Sequence, residues 1–512
     1  MHVVRIALAA ATSATLITGG AVAIGSQHAD HAPTNDINWM LTEHAPAPPY
    51  FDEARNLHLG HTPEAKCGPG SKPETSWQGR VPAKDFDSGR AAKGYTCNTE
   101  AVSHFGDSGG YRVARYVDKH GHTCAFYDST LLFPTDVAGN GAKAGVYVLD
   151  MTDPKKPVFT DNLDTPAMDS PHESLRLNSE RGLLVADAGS PATQVGIVDV
   201  YSVADDCRHP TFESSLPIGP LGHESGFSPD GKTFWATATA REGITAIDLT
   251  DPAFPKIVWH TEKYGSHGMA ISPDGKRAYL ASPCCSYFTA ISGFGGDSRT
   301  GGVIILDISQ IQNRTISSPN ADVPEIARLT WPEISIPQNV IPVTIKQHPY
   351  LIEFDEFSSN VLQYNPASSV GAARIIDIGD ERHPKVISRI RLAVHNPTQR
   401  ASDQQNDPGA STGTQGYAAH YCAVPRQKDP GIVACSMILS GLRVFDIRDP
   451  KHPREAAYFN MPPSGGAHAM SAPAFDPARG DIWFSDGASG FWNVHVTNGA
   501  WPRHGAYPTP DM

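Results

Sequence analysis

Positive charge is scarce in this chain: 41 Lys and Arg stand against 54 Asp and Glu, a formal net charge of −13 over 512 residues. No lysine–arginine cluster relieves that deficit, which argues against nucleic acid and anionic membrane surfaces as partners. Long hydrophobic runs are equally few. After Ile6 to Ile24, no segment is apolar enough for long enough to cross a bilayer. His-Glu-x-x-His and Cys-x-x-Cys are both missing, so neither a helical zinc-protease motif nor a dithiol motif is available.

The one apolar run has the features of an export signal. His2 and Arg5 precede it and Ala21-Val22-Ala23 offers an Ala-x-Ala cleavage site, so residues 1–23 read as a signal peptide, with an uncleaved anchor as the alternative. No cysteine follows closely enough to take a lipid. Once the signal is removed, no membrane span is expected, and the chain is placed outside the cytoplasm, secreted or at the cell surface. Eight cysteines form an even set, and export permits disulfides. Cys422 and Cys435 flank a turn-rich stretch and are expected to face each other across a hairpin; Cys67 with Cys97 is the second expected pair. Adjacent Cys284 and Cys285 do not bridge each other without strain.

What the chain has in quantity is repetition. Seven times a short apolar strand closes in nearly the same way: Gly145-Val-Tyr-Val-Leu-Asp150, then strands ending at Asp199, Asp248, Asp307, Asp377, Asp446 and His495. The closing residues lie 49, 49, 59, 70, 69 and 49 positions apart. Such a period, with several short strands in each unit, marks a β-propeller. The 46 Gly and 43 Pro suit an all-β chain with many tight turns. Ser228-Pro-Asp-Gly231 and Ser272-Pro-Asp-Gly275 each separate two apolar runs: proline presets φ and glycine accepts positive φ. They are read as turns between innermost strand A and strand B. Asp-Pro…Pro connections after the repeat, as at Asp449-Pro450…Pro453, stop strand C and start edge strand D. The repeat aspartates are expected to cap that turn.

The apolar phrase ending in Asp, followed by Asp-Pro…Pro and preceded by a hairpin, resembles the LVIVD-repeat family of exported bacterial β-propellers. The resemblance spans about Cys97 to Val496 and implies a propeller on or outside the cell, with no single activity attached. Seven blades are expected, six or eight being the alternatives. Residues 24–96 read as a partly ordered extension and 97–512 as the propeller. The last unit stops at strand C, and Asn98 to Phe105 is expected to supply its missing outer strand, with His104 on it.

A second regularity concerns histidine. His172, His223, His267, His348, His420 and His468 each stand at the expected start of a strand A, 25–29 residues before the end of strand C, or 40 for His267. Strands A surround the axis of a propeller, so these imidazoles are expected to ring the channel mouth. The longer loops, such as Pro283 to Gly301 and Asn396 to Gly416, fall on the same face. Convergent imidazole suits Zn, Cu, Fe or Ni, and Met269 and Met470, two residues beyond ring histidines, tilt the choice towards copper. Glu173 and Glu224 alternate to the opposite strand face and are expected to accept hydrogen bonds between blades. The reading is an exported binding or scaffold propeller whose mouth holds a metal, small molecule or protein. The alternative is a copper-dependent oxidoreductase using the same ring. A calcium lactonase is disfavoured, because calcium prefers oxygen ligands.

Overall fold

The computed structural model describes residues 60–130, 144–188, 196–220, 222–238, 243–264, 266–282, 301–331, 337–356, 372–396, 417, 419–462 and 469–502. Seven antiparallel sheets arise from one strand grammar. Their innermost strands A are Val113–Val117, Arg176–Asn178, Gly222–Phe227, Gly268–Ile271, Pro337–Ile345, Tyr421–Ala423 and Ala474–Asp476, numbered here as blades one to seven. All seven repeat phrases form strand C of a blade, from Val146–Asp150 to Gly490–Val496. The chain is a seven-bladed β-propeller.

Ring closure comes from the N-terminal side. Thr99–Phe105 pairs antiparallel with Gly490–Val496, placing Thr99 opposite Val496 and His104 opposite Trp492. This supplies the outer strand of blade seven and covers a free sheet edge. Just before it, Tyr95–Cys97 adds a fifth strand outside Arg454–Asn460 of blade six.

The turns follow the residues that make them. Gly231 and Gly275 hold φ of 64° and 72°, and Asp230 and Asp274 accept from the amides of Lys232 and Lys276. Asp150, Asp248, Asp307, Asp377 and Asp446 each accept from the amide two residues on, capping the turn out of strand C. Asp199 departs from this and binds the amides of Ala167 and Met168 instead. In five blades the C–D ladder shifts register at the same place, two residues before the closing aspartate, as between Ala246 and Ile247. A bulge repeated at one point adds the same local twist to each blade.

Three disulfides join described residues. Cys67–Cys97 and Cys422–Cys435 match the expected pairs, the latter directly opposite each other on neighbouring strands. Cys124–Cys207 was not anticipated; it ties strand B of blade one to the turn after strand C of blade two. Cys284 and Cys285 lie outside the described residues, as does the expected signal. The Cys124–Cys207 bridge closes a separation of 83 residues and so constrains the unfolded chain strongly. A Cys124→Ala, Cys207→Ala variant is expected to lose about 2–4 kcal/mol in denaturant unfolding under oxidising conditions.

From residue 60 onward the N-terminal segment packs against blades five and six. Arg391 donates its amide to Thr62 Oγ1, and Gln78 Nε2 donates to Glu455 Oε2 at 2.8 Å. The Arg443 guanidinium, wholly buried, pairs with Glu455 at 3.0 Å and with Glu74 of the segment.

Candidate functional site

Four of the predicted histidines converge on the axis. His172 packs edge-on against His223 with ring centres 4.4 Å apart, and His223 packs similarly on His267 at 4.5 Å. His420 closes the group from blade six. Two carboxylates complete it, producing a closed circuit of side chains. Glu173 Oε2 lies 2.8 Å from His223 Nδ1, and His223 Nε2 lies 3.2 Å from His267 Nε2. His267 Nε2 lies 3.1 Å from Glu356 Oε2, while Glu356 Oε1 lies 3.8 Å from His420 Nε2. His420 Nε2 in turn faces Glu173 Oε1 at 3.4 Å. All five side chains are buried.

Two backbone carbonyls orient this circuit. His267 Nδ1 lies 2.9 Å from the carbonyl of Pro337, and His420 Nδ1 lies 2.6 Å from that of Met470. A donating Nδ1–H directs Nε2 of each ring inward, the outer-shell arrangement that orients metal-ligating imidazoles. His172 sits at φ 51°, and its Nδ1 is buried with no hydrogen-bond partner among the described residues. A buried polar atom of that kind calls for an explanation.

Burial and mutual charge set the protonation. Burial, with help from His223, pushes His172 down to about 3, so its ring is neutral. Burial would raise both carboxyls, but His223 and His420 hold Glu173 well below its usual range. His267 and His420 likewise lower Glu356. The same pairings overcome the burial penalty on the imidazoles, raising His267 and lifting His420 to about 9. Two carboxylates that favour their ionised form thus face two imidazoles that favour their protonated form.

Blade one supplies an aromatic wall. Tyr111 occupies the place of the missing histidine, its ring centre 4.6 Å from that of His172 and 5.3 Å from that of His420. Next along the axis is a second polar layer. Glu224 pairs with Arg112 and Arg176 and accepts from Asn339 and the amide of Met269. It therefore joins neighbouring blades, as its place after His223 suggested. Arg112 and Arg176 of this layer, with Leu175, Val340 and Phe475 among others, line a cavity of about 340 Å³.

Other expectations fall elsewhere. His348 does not join the cluster. Its blade has strand A at Pro337–Ile345, and His348 opens strand B, where its Nε2 contacts Asp377 Oδ1 at 2.7 Å on the opposite face. The turn between those strands is Lys346-Gln347, with φ of 52° and 65°, so a two-residue hairpin turn is made without glycine, asparagine or proline. That hid it from sequence reading. Blade five instead reaches the axis with Gln338, which donates to Glu173 and Tyr421, and with Glu356 from just beyond strand B. His468 lies outside the described residues, as do most of the long loops. The segments flanking these loops, such as Ser282 and Asn396, belong to the B–C and D–A ends of blades, the end that carries the cluster. The Met269 and Met470 side chains are buried in apolar clusters with Trp235 and Tyr421 respectively. Glu173 lies beside imidazoles because strand A of blade two begins only at Arg176, so strand alternation does not govern it.

Two letter patterns carry no site. Gly226 to Thr233 spells Gly-x4-Gly-Lys-Thr but forms an A–B hairpin, and Gly106 to Gly110 spells Gly-x-Ser-x-Gly without a following helix.

No family model matches the sequence, and no curated protein matches it. Similar solved structures include the hydrazine synthase of Kuenenia stuttgartiensis, at 15% identity and TM-score 0.49, covering 77% of this chain and 97% of that one. The periplasmic gluconolactonase PpgL of Pseudomonas aeruginosa aligns at 13% identity and TM-score 0.43, covering 69% and 95%.

Proposed function

We propose that this chain is an exported propeller of the LVIVD-repeat type that binds a divalent transition-metal ion in the axial cluster. The carrying observation is the spacing of inward donors: Glu173 Oε1, His420 Nε2 and Glu356 Oε1 stand 3.4 and 3.8 Å apart in succession, in a group whose ligand atoms all lie within 4.8 Å of one another. Ligands about 2.0–2.1 Å from a tetrahedral zinc ion are separated by roughly 3.3 Å along each edge. The carbonyls of Pro337 and Met470, behind His267 Nδ1 and His420 Nδ1, orient those two rings. Imidazole with carboxylate suits zinc, iron, manganese or copper. The thioethers that pointed to copper are packed into apolar walls, so the copper-dependent oxidoreductase keeps only its imidazoles. An extracytoplasmic location is supported by three disulfides between described residues. With a metal bound, the cluster would activate a water or substrate oxygen arriving past partly exposed His172.

Elemental analysis of protein purified from its native compartment tests this reading. Stoichiometric transition metal, removed by dialysis against a strong chelator, is expected in the wild type and in a His348→Ala control. Metal-free protein that takes up no zinc, copper, iron or manganese on reconstitution would overturn it. At a free metal concentration about 1,000 times Kd, rebinding is expected to add about 4 kcal/mol of stability, read in denaturant unfolding.

A further inference from the structure

We infer that the axial cluster holds two metal ions bridged by the carboxylate of Glu173, an inference resting on the metal-binding reading above. Two sets of donors meet the geometry of a cation site, His172–Glu173–His223 and Glu173–Glu356–His420, each with its ligand atoms within 4.8 Å of one another. Glu173 is the only residue they share. Its two oxygens address different partners: Oε2 faces His223 at 2.8 Å and Oε1 faces His420 at 3.4 Å. A carboxylate divided in this way spans two ions at the separation of about 3.5–4 Å typical of two-metal sites.

The remaining donors divide without competition. His172, whose buried Nδ1 has no hydrogen-bond partner among the described residues, and His223 belong to one ion. Glu356 and His420 belong to the other. His267 lies between, its Nε2 3.2 Å from His223 and 3.1 Å from Glu356, and serves the second ion beside Glu356. Two divalent ions bring four positive charges against two carboxylates. Deprotonation of a water bound between the ions, with its proton leaving to solvent, adds a hydroxide and reduces the surplus; binding to one zinc already lowers the pKa of water to about 7. The reaction class this favours is hydrolysis of an ester, lactone or phosphoester approaching past His172: the hydroxide oxygen bonds to the carbonyl carbon or phosphorus, the C–O or P–O bond to the alcohol breaks, and the alkoxide leaves as the alcohol after taking a proton from solvent.

The test is metal stoichiometry with zinc and magnetic coupling with copper. Chelated and reconstituted wild-type protein is expected to hold two zinc ions per chain. Copper loading is expected to give a half-field electron paramagnetic resonance transition, or loss of signal through exchange. Glu173→Gln, which keeps the side-chain shape, is expected to hold no more than one ion and to show no coupling. One ion in the wild type, or two uncoupled ions, would overturn the bridged pair while leaving the metal reading intact. No bound ion would overturn both.

Discussion

Replacing Arg443 with alanine is expected to cost about 3–5 kcal/mol, because one change strands two carboxylates in the protein interior. Arg443 is wholly buried between Glu455, at 3.0 Å, and Glu74, and it also donates to the carbonyl of Ser440 at 2.7 Å. Its removal leaves Glu74, Glu455 and that carbonyl short of a partner. Burial already pushes Glu74 upward even against the guanidinium, so losing Arg443 disfavours its ionised form further. The contact joins residue 74 to blade six, and the variant is therefore expected to release the N-terminal segment before the ring opens. Limited proteolysis measures this directly, with cleavage before Cys97 appearing well below the global unfolding midpoint. Triple replacement of Arg443, Glu74 and Glu455 by apolar residues of similar volume is expected to recover much of the loss. A small effect of Arg443→Ala on both readouts would show that the triad holds nothing together.

His267→Ala is expected to weaken metal binding by more than the 10–100-fold that outer-shell changes typically cost. His267 contacts His223 and Glu356 together, so its loss opens the circuit on both sides. The measurement is competition against a chromophoric chelator, with folding checked by circular dichroism. Asn339→Ala, in the adjacent polar layer, is expected to change affinity far less, because its amide reaches Glu224 and not a circuit member. Equal losses for the two variants would indicate general loosening of the axis, and unchanged affinity in His267→Ala would remove it as a ligand.

Much of the candidate site was legible because a repeat copies its geometry. His223, His267 and His420 stand in register with the repeat, and the structure brings them together from three blades. The remaining members carry no repeated signal. Tyr111 holds the blade-one position with a different residue type, and Glu356 enters from the end of strand B. Glu173 was expected to face away, an inference that needs extended backbone. The positive φ of His172 removes that condition.

The amino-acid chain by itself determined the seven strands C, the turns around Pro-Asp-Gly, the N-terminal closing strand and the Cys422–Cys435 bridge across a hairpin. These depend on contacts between neighbours in sequence, or on the need of one free sheet edge for a partner, and local chemistry is enough to specify them. Tertiary structure alone decided which side chains join those histidines on the axis. Blade five is offset by a hairpin turn made from Lys346 and Gln347, which moves His348 to the far face and brings Gln338 and Glu356 inward. Convergence of separate blades is a property of the closed ring, which no single repeat contains.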